Sequence, residues 1–311
     1  MKRFGTVRAV DEIDLCIRRG HVFGVLGPNG AGKTTMLKML ATLLPIDGGS
    51  ARVFGLDVAQ RPHEVRQLVG VTGQYASVDE NLTAWENMVL FGRLLGLSRK
   101  RAAQTGEELL DSFGLTDAAG RHVKQFSGGM RRRLDLAVSL ISRPPLIFLD
   151  EPTTGLDPRT RGQMWDTIRK LVRDGATVLL TTQYLDEADQ LADRIAVIDH
   201  GKKVAEGTPA ELKASVGSST LHVSLEDRAR TAEAAALVGR VVGEAPVLTP
   251  EAGGLSIALA DANLAADVLI ALRNARLGIA TASVQQPSLD EVFFALTGNQ
   301  RDDRDVLEEV A

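Results

Sequence analysis

The amino-acid sequence, 311 residues long, predicts an α/β domain built on a buried parallel sheet, followed by a small C-terminal α+β domain of the ferredoxin-like type. Three observations support this prediction. A glycine-rich loop at 27–35 lies between an apolar strand and a helix. A second apolar strand ends in two carboxylates, Asp150 and Glu151. Beyond residue 219, the hydrophobic pattern follows the order β-α-β-β-α-β.

The composition is that of an ordinary globular protein, with 44% hydrophobic and 24% charged residues. No apolar run approaches the roughly 20 residues that a membrane-spanning helix needs, and no signal peptide is visible at the start. A role at a membrane therefore requires a partner. The formal net charge of -4 provides no general attraction to nucleic acid, so no nucleic-acid partner is expected.

Several residue types are expected to be structural. The single cysteine, Cys16, lies in the strand-like stretch 13–17 and is predicted to be a small core residue in a reducing compartment, without an internal disulfide. The five histidines show no metal-ligand spacing. The three arginines at 131–133 are interpreted as a solvated helix face. Near the start, Phe4 is either a surface aromatic, which the residue alone favours, or a ring that lies flat against a purine.

The loop at 27–35 fits the phosphate-binding pattern of a glycine, four residues and then Gly-Lys-Thr. Its glycines let successive backbone N–H groups surround an anion, and the helix that follows adds its N-terminal partial charge. Lys33 can reach the β- and γ-phosphates, and the Thr34 hydroxyl can coordinate Mg²⁺. A glycine turn that matches by chance is the disfavoured alternative. The predicted phosphate-binding residues are Gly27, Pro28, Asn29, Gly30, Ala31, Gly32, Lys33, Thr34 and Thr35.

Polar side chains also follow the other predicted strands. Asp150 and Glu151 end the strand at 146–149, at the edge where open α/β sheets bind ligands. Asp150 can hold Mg²⁺ through water and Glu151 can act as a general base; a mere cap for the next turn is the weaker alternative. Gln74 follows the strand at 69–72, and Gln183 follows the strand at 177–181. Gln74 fits a metal or water ligand and a surface loop residue equally well.

The segment at about 82–142 is predicted to be a helical subdomain. Thr83 and Glu86 form a capping box before an apolar helix, and a second helix spans about 100–113. Exposed apolar residues here suit a partner surface, although most such residues are core. Ser127, Gly128 and Gly129 precede a third helix and form a second anion-binding arrangement, or else an ordinary turn.

The predicted nucleotide-binding domain covers residues 1–217, with a turn through Asp157 before the helix at 159–174 and a hairpin at 195–205. The predicted accessory α+β domain covers 219–298 and carries no catalytic constellation. The charged residues 299–311 are predicted to be disordered.

Taken together, these motifs resemble the ATP-binding cassette, the nucleotide-binding subunit of ABC transporters. The resemblance covers about residues 4–217 through GPNGAGKT, Gln74, SGGM, LIFLDE and GLD, all in the family order. The closing PSLDEVFFALTG and the segment TTQYLDEAD look like the daunorubicin-resistance ATP-binding subfamily. In that group the subunit pairs with a separate membrane permease to export drugs or lipids.

The resemblance implies ATP and Mg²⁺ as cofactors and a role for each motif. Phe4 would stack on adenine, Gln74 would sense the metal and the permease, and Glu151 would be the catalytic base. Ser127, Gly128 and Gly129 would bind the γ-phosphate held by the other protomer. The phosphates and Mg²⁺ would be held by Gly30, Gly32, Lys33, Thr34 and Thr35, and Asp150 would be the metal carboxylate. Asp157 would couple the two sites. The resemblance therefore implies a homodimer that closes around two ATP molecules.

The chain departs from the family pattern in three places. The usual Leu-Ser-Gly-Gly-Gln is replaced by the residues at 126–130, which keep the serine and both glycines. The usual switch histidine is replaced by Gln183, which is expected to act by hydrogen bonding alone. The family's first strand normally precedes the position of Phe4, so we expect either a truncated start or an altered sheet edge.

The favoured interpretation is an ATP-hydrolysing motor at the cytoplasmic face of the cell membrane, powering export through a permease. A non-transport ATPase acting on ribosomes or DNA is the alternative; one cassette, a negative net charge and no long coiled coil argue against it. A regulatory role for the C-terminal domain is compatible with the first interpretation.

Overall fold

The computed structural model describes residues 1–73, 78–215, 219–248, 254–259, 261, 263–285 and 287–298. The chain divides into two compact units, Met1–Pro209 and Ala210–Ala311. The predicted domain limits at 217 and 219 stay a prediction. The tail predicted to be disordered, 299–311, lies outside the described residues.

The first unit alternates strands and helices. Its strands are β1 Lys2–Phe4, β2 Val7–Val10, β3 Val22–Leu26, β4 Arg52–Val53, β5 Leu56–Asp57, β6 Val69–Thr72, β7 Leu146–Asp150, β8 Thr177–Thr182, β9 Arg194–Asp199 and β10 Lys202–Gly207. Its helices are α1 Lys33–Leu40, α2 Pro62–Leu68, α3 Ala84–Leu94, α4 Arg99–Ser112, α5 Gly128–Ser139, α6 Pro158–Arg173 and α7 Leu185–Leu191. Short 3-10 turns cover Thr116–Ala118 and Val123–Gln125, and α8 Pro209–Ala214 crosses the unit boundary.

The central sheet has the strand order β10-β9-β3-β8-β7-β6. Strands β6, β7, β8, β3 and β9 run parallel, and β10 returns antiparallel through a hairpin. Every residue of β3, β7 and β8 is buried, as expected for parallel strands covered on both faces. The predicted α/β class is therefore confirmed, as are the strand before the glycine-rich loop and the helix after it.

Successive residues of the central strands pack into two hydrophobic cores, one on each face of the sheet. Val178 and Leu180 of β8 pack with the segment that carries α3 to α6, whereas Leu179 packs with α1 on the opposite face. The alternation follows from the period-2 geometry of a strand.

The predicted capping box on α3 is also present, since Glu86 N donates to Thr83 Oγ1 at 3.1 Å and Glu86 Oε2 accepts from Thr83 N at 2.8 Å.

The N-terminal region differs from its sequence prediction. Residues 11–21 contain no strand, and Cys16 is exposed rather than part of the core. Ile13, Leu15 and Ile17 face inward, so the alternating pattern turns the residue between them to solvent.

The sequence also predicts a strand at 50–54, which needs correction, and a strand near the N-terminus was not predicted. Residues 50–54 form only the short strand β4, because Phe54 and Gly55, both with positive φ, make the turn into β5. Lys2–Phe4 itself forms a strand, β1, paired antiparallel with β2.

The second unit is a four-stranded antiparallel sheet with helices on one face. It contains β11 Ser219–Leu225, α9 Thr231–Val242, β12 Val247–Leu248, β13 Gly254–Leu259, α10 Leu264–Asn274, β14 Ile279–Gln285 and α11 Leu289–Gly298. A 3-10 turn, Arg228–Arg230, precedes α9. The strand order β12-β13-β11-β14 is that of the ferredoxin-like arrangement, which confirms the predicted class.

Alternation explains the core of this second unit. Leu221, Val223 and Leu225 of β11 point toward α9 and α10, where Val238 and Val268 are fully covered. Within the ranges that the structure describes, no helix is both long enough and apolar enough to cross a bilayer.

Candidate active site

The predicted site residues follow the carboxyl ends of neighbouring parallel strands. The glycine-rich loop follows β3, Gln183 follows β8, and Glu151 follows β7. Because β8 lies between β3 and β7 in the sheet, these three segments meet at one edge. Gln74, which follows β6, lies outside the described residues, and its role stays a prediction.

The loop presents the open N-terminus of α1. Gly32 is the N-cap residue at φ 102°, and no side chain caps the helix. A Cβ at Gly32 would overlap the carbonyl oxygen of Ala9, and one at Gly27 would overlap the carbonyl oxygen of Ile198. Packing therefore requires glycine at both positions, and the positive φ of Gly32 is a second reason at that position. An uncapped helix N-terminus in a glycine-rich loop is an arrangement that suits a phosphate group.

Lys33 places a buried cation at this loop. Its Nζ donates to Gly27 O at 2.6 Å and to Pro28 O at 3.0 Å, and lies 3.6 Å from Glu151 Oε1. Burial lowers the pKa of Lys33, while the charges of Glu151 and Asp150 oppose that shift. A phosphate at the loop would therefore compete with Glu151 for the Lys33 ammonium.

The Asp150 carboxylate accepts hydrogen bonds from two hydroxyl groups. Its Oδ1 accepts hydrogen bonds from Thr34 Oγ1 at 2.9 Å and from Thr181 Oγ1 at 2.6 Å. The sequence prediction assigned Thr34 and Asp150 each to Mg²⁺, but it had no role for Thr181, which lies 31 positions from Asp150.

The donor set fits Mg²⁺. A hydroxyl and a carboxylate offer the hard oxygen ligands that this ion prefers, and Mg²⁺ commonly takes only one or two protein ligands beside phosphate and water. Among the described residues there is no cluster of three or more histidine, cysteine or acidic side chains that would hold a metal alone. The residues present therefore suit a metal that arrives with a phosphate.

Glu151 is held in an uncommon backbone conformation, with φ 48°. Its N–H lies 3.1 Å from Thr181 O and 3.2 Å from Thr181 Oγ1, and its Oε2 accepts from Thr154 Oγ1 at 3.3 Å. Its side chain is buried beside Lys33. These contacts fix a carboxylate close to the phosphate-binding loop, as a general base requires.

Ser127 and Asp157 occupy neighbouring helix starts. Ser127 caps α5 by accepting from Met130 N at 3.2 Å, and Asp157 caps α6 by accepting from Thr160 N at 3.0 Å and Thr160 Oγ1 at 2.6 Å. These bonds from Thr160 lower the pKa of Asp157. A Cβ at Gly129 would overlap Cγ2 of Thr160, so the two helix starts are in close contact.

Phe4 and Gln183 remain the least constrained of the predicted residues. Phe4 lies at the end of β1 with 49% of its surface exposed, and the Lys2 ammonium lies 5.6 Å from its ring centre. Gln183 is half-buried immediately after β8. Contact of either side chain with a nucleotide stays a prediction.

Arg132 corrects the interpretation of 131–133 as a solvated helix face. Its guanidinium is largely buried and donates to the carbonyl oxygens of Asp150 at 2.9 Å, Pro152 at 3.0 Å and Gly73. Three consecutive helical residues point about 100° apart, so they cannot share one face. Arg132 lies on the same stripe as buried Leu136, a signal that helical periodicity would have revealed.

Glu187 was also missed. This fully buried carboxylate of α7 accepts from Trp165 Nε1 at 3.3 Å and interacts with Thr182 and Thr153. Burial raises the pKa of Glu187, against the opposing effect of those hydrogen bonds. Glu187 therefore connects Thr182 at the end of β8 with Thr153 in the turn that follows Glu151.

Comparison with known families agrees with this geometry. The family model for ABC transporters matches residues 10–154, and the model for the C-terminal domain of DrrA1-3-like ATP-binding proteins matches residues 207–297. Over 304 residues the chain is 55% identical to the daunorubicin/doxorubicin resistance ATP-binding protein DrrA of Streptomyces peucetius, covering 98% of this chain and 92% of that protein.

More distant relatives and solved structures support the same family assignment. The Nod factor export ATP-binding protein I of Burkholderia lata is 42% identical over 223 residues, covering 71% of this chain and 73% of that protein. A dimeric ATP-binding cassette in a post-hydrolysis state, bound to ADP and Pi, superposes with a TM-score of 0.61 at 26% identity, covering 67% of this chain and 94% of the other. The chain therefore belongs to the ABC transporter family as an ATP-binding, ATP-hydrolysing subunit with a DrrA-like C-terminal domain.

Proposed function

We propose that this ATPase powers the efflux of a hydrophobic drug, antibiotic or lipid through a separate membrane permease. The observation that carries the proposal is the convergence of Lys33, Thr34, Asp150 and Glu151 at one edge of the parallel sheet. The choice of export is supported by relatives whose names describe drug resistance and Nod factor export.

In this proposal the phosphates of ATP bind the loop at 27–35. The open N-terminus of α1 supplies N–H donors, and Lys33 leaves the carbonyl oxygens of Gly27 and Pro28 to meet the phosphate charge. Thr34 and Asp150 would hold Mg²⁺, which would supply positive charge to neutralise the transferred phosphoryl group. Phe4 offers an exposed ring for stacking on adenine.

Hydrolysis then depends on two side chains at the same edge. Glu151 accepts a proton from the attacking water, and its position is set by the bonds that its own N–H and Oε2 make with Thr181 and Thr154. Gln183 orients that water or the γ-phosphate by hydrogen bonding, without a charge that titrates near neutral pH.

The site is completed by a second copy of the chain. Ser127, Gly128 and Gly129 open α5 and contact the γ-phosphate bound by the partner, and Asp157 at the adjacent helix start couples the two sites. The support is that a similar solved cassette is dimeric with ADP and Pi bound.

The permease partner requires a contact surface on the helical segment. Leu90, Leu94 and Leu95 of the α3 region are exposed, and Leu94 exposes 72% of its surface. Such a row of exposed leucines is typical of a surface that packs against another protein. We place the subunit at the cytoplasmic face of the membrane, attached through that permease.

The test compares the wild-type chain with Glu151→Gln. The variant should keep ATP binding while its steady-state ATPase rate falls about 10²–10⁴-fold, because only the proton acceptor is lost. Unchanged turnover would remove Glu151 from its proposed role. Co-purification of the tagged chain with a multi-helix membrane protein supports export, whereas co-purification with ribosomes would contradict it.

A further inference from the structure

Arg132 binds the chain on both sides of Glu151. Its Nη2 donates to the carbonyl oxygen of Asp150 at 2.9 Å, and its Nε donates to that of Pro152 at 3.0 Å. These two residues are the immediate neighbours of Glu151 in sequence. A third bond, from Nη1, reaches the carbonyl oxygen of Gly73, the last described residue before Gln74.

These bonds make one rigid junction. A guanidinium is planar and carries five N–H donors in a fixed fork, so bonding to three carbonyl groups fixes the directions of all of them. Asp135, one turn further along α5, lies 3.9 Å from Nη1 and adds a nearby negative charge. A lysine at this position would bring a single ammonium on a flexible stem, which cannot reproduce that fork.

The N-terminus of the same helix is exposed at Ser127 and Gly128, where the proposed function places the partner's nucleotide. Arg132 lies five residues after Ser127, roughly 7.5 Å along the helix axis. Gly129 is packed against Thr160, so α5 is supported laterally by α6. A change in the placement of the α5 N-terminus is therefore transmitted through a short, rigid helix to Arg132.

We propose that Arg132 is a positioning residue that couples the two nucleotide sites of the dimer. When Ser127 and its glycines engage the nucleotide held by the partner, α5 is fixed, and Arg132 thereby holds the backbone around Glu151 in the geometry for hydrolysis. The inference rests on the dimer of the proposed function. It differs from a catalytic role, because Arg132 touches backbone carbonyl groups.

The first test measures ATPase kinetics and nucleotide affinity for Arg132→Met and Arg132→Lys. In the wild type we expect a Hill coefficient approaching two, the number of sites. In Arg132→Met the kcat should fall about 10- to 100-fold, as expected for a misplaced catalytic group, and the Hill coefficient should approach one. Affinity for a fluorescent ATP analogue should change by less than about two-fold, and Arg132→Lys should be intermediate.

Arg133→Lys is the matched control. Arg133 lies on the same helix and donates to Phe113 O at 3.0 Å, away from Glu151. We expect it to change thermal stability while leaving kcat and the Hill coefficient near the wild-type values. Equal losses of kcat in Arg132→Lys and Arg133→Lys would overturn the inference, because the effect would then be a general loss of helix packing.

Mixed dimers separate the two sites. One protomer carries Glu151→Gln, so only its partner hydrolyses ATP. Arg132→Lys should lower kcat when placed in the hydrolysing protomer and should have a much smaller effect in the Glu151→Gln protomer. Equal effects from both placements, or unchanged kinetics in Arg132→Met, would overturn the inference; if Arg132→Met does not fold, the Arg132→Lys dimers decide. A wild type that stays monomeric and non-cooperative would instead contradict the proposed dimer, before any Arg132 variant is made.

Discussion

Replacing Thr181 by valine tests whether its hydroxyl orients Asp150 and Glu151 for ATP hydrolysis, because valine keeps the packing of the sheet. The Thr181 hydroxyl is fully buried, donates to Asp150 Oδ1 at 2.6 Å and accepts from Glu151 N at 3.2 Å. Valine keeps the shape and removes both bonds. Loss of a hydrogen bond to a charged group costs about 2 kcal/mol, and Glu151 N keeps its bond to Thr181 O.

That cost converts into two measurable quantities. The melting temperature should fall by about 4–8 °C for a unit of this size, measured by differential scanning calorimetry. If the full 2 kcal/mol is lost in the transition state, the ATPase kcat should fall roughly 30-fold.

Thr181→Ser provides the control, because it keeps the hydroxyl and removes a buried methyl group. We expect it to lose about 1 kcal/mol of stability and to keep kcat within about three-fold of wild type. An unchanged kcat in Thr181→Val, or a loss in Thr181→Ser as large as that in Thr181→Val, would contradict the role of the Thr181 hydroxyl in orienting Asp150 and Glu151.

Three further variants test other contacts. Gly129→Ala should lower the melting temperature, because its Cβ overlaps the Thr160 methyl group, and adding Thr160→Ser should recover most of the loss; no recovery would contradict the packing argument. The stability of Glu187→Gln relative to wild type should increase as pH rises above 4.5 in urea unfolding, because a raised folded-state pKa makes the wild type lose stability above that ordinary value; a difference that does not change with pH would disprove this. Gln183→Ala and Gln183→Glu should both lose ATP-dependent dimer closure in size-exclusion chromatography on the Glu151→Gln background, and closure in both would argue against the hydrogen-bonding role.

The sequence was sufficient to predict the site where its chemistry is local. The loop at 27–35 is contiguous, and its flanking strand and helix have strong hydrophobic patterns of different period. Asp150 and Glu151 end an apolar strand, so their position at the sheet edge follows from the parallel topology. The ferredoxin-like unit was predictable because β11 alternates between buried and partly buried residues, and α9 and α10 each have an apolar face.

The missed residues make contacts between distant parts of the chain. Arg132 reaches Gly73 across 59 positions, and Thr181 reaches Asp150 across 31. Such contacts depend on how strands order themselves in the sheet, which residue types alone do not specify. Cys16 shows a different failure, because the stretch 13–17 was predicted to be strand-like with the cysteine in the core, whereas it forms no strand and Cys16 is exposed.

The most direct test of the proposed export function is the ATPase rate of the wild-type chain, alone and with a candidate permease, in lipid vesicles with and without added hydrophobic drugs. We expect a low rate for the chain alone, a higher rate with the permease and a further increase with a transported drug, with Glu151→Gln inactive throughout. A high rate that is indifferent to the permease and to every drug would contradict it.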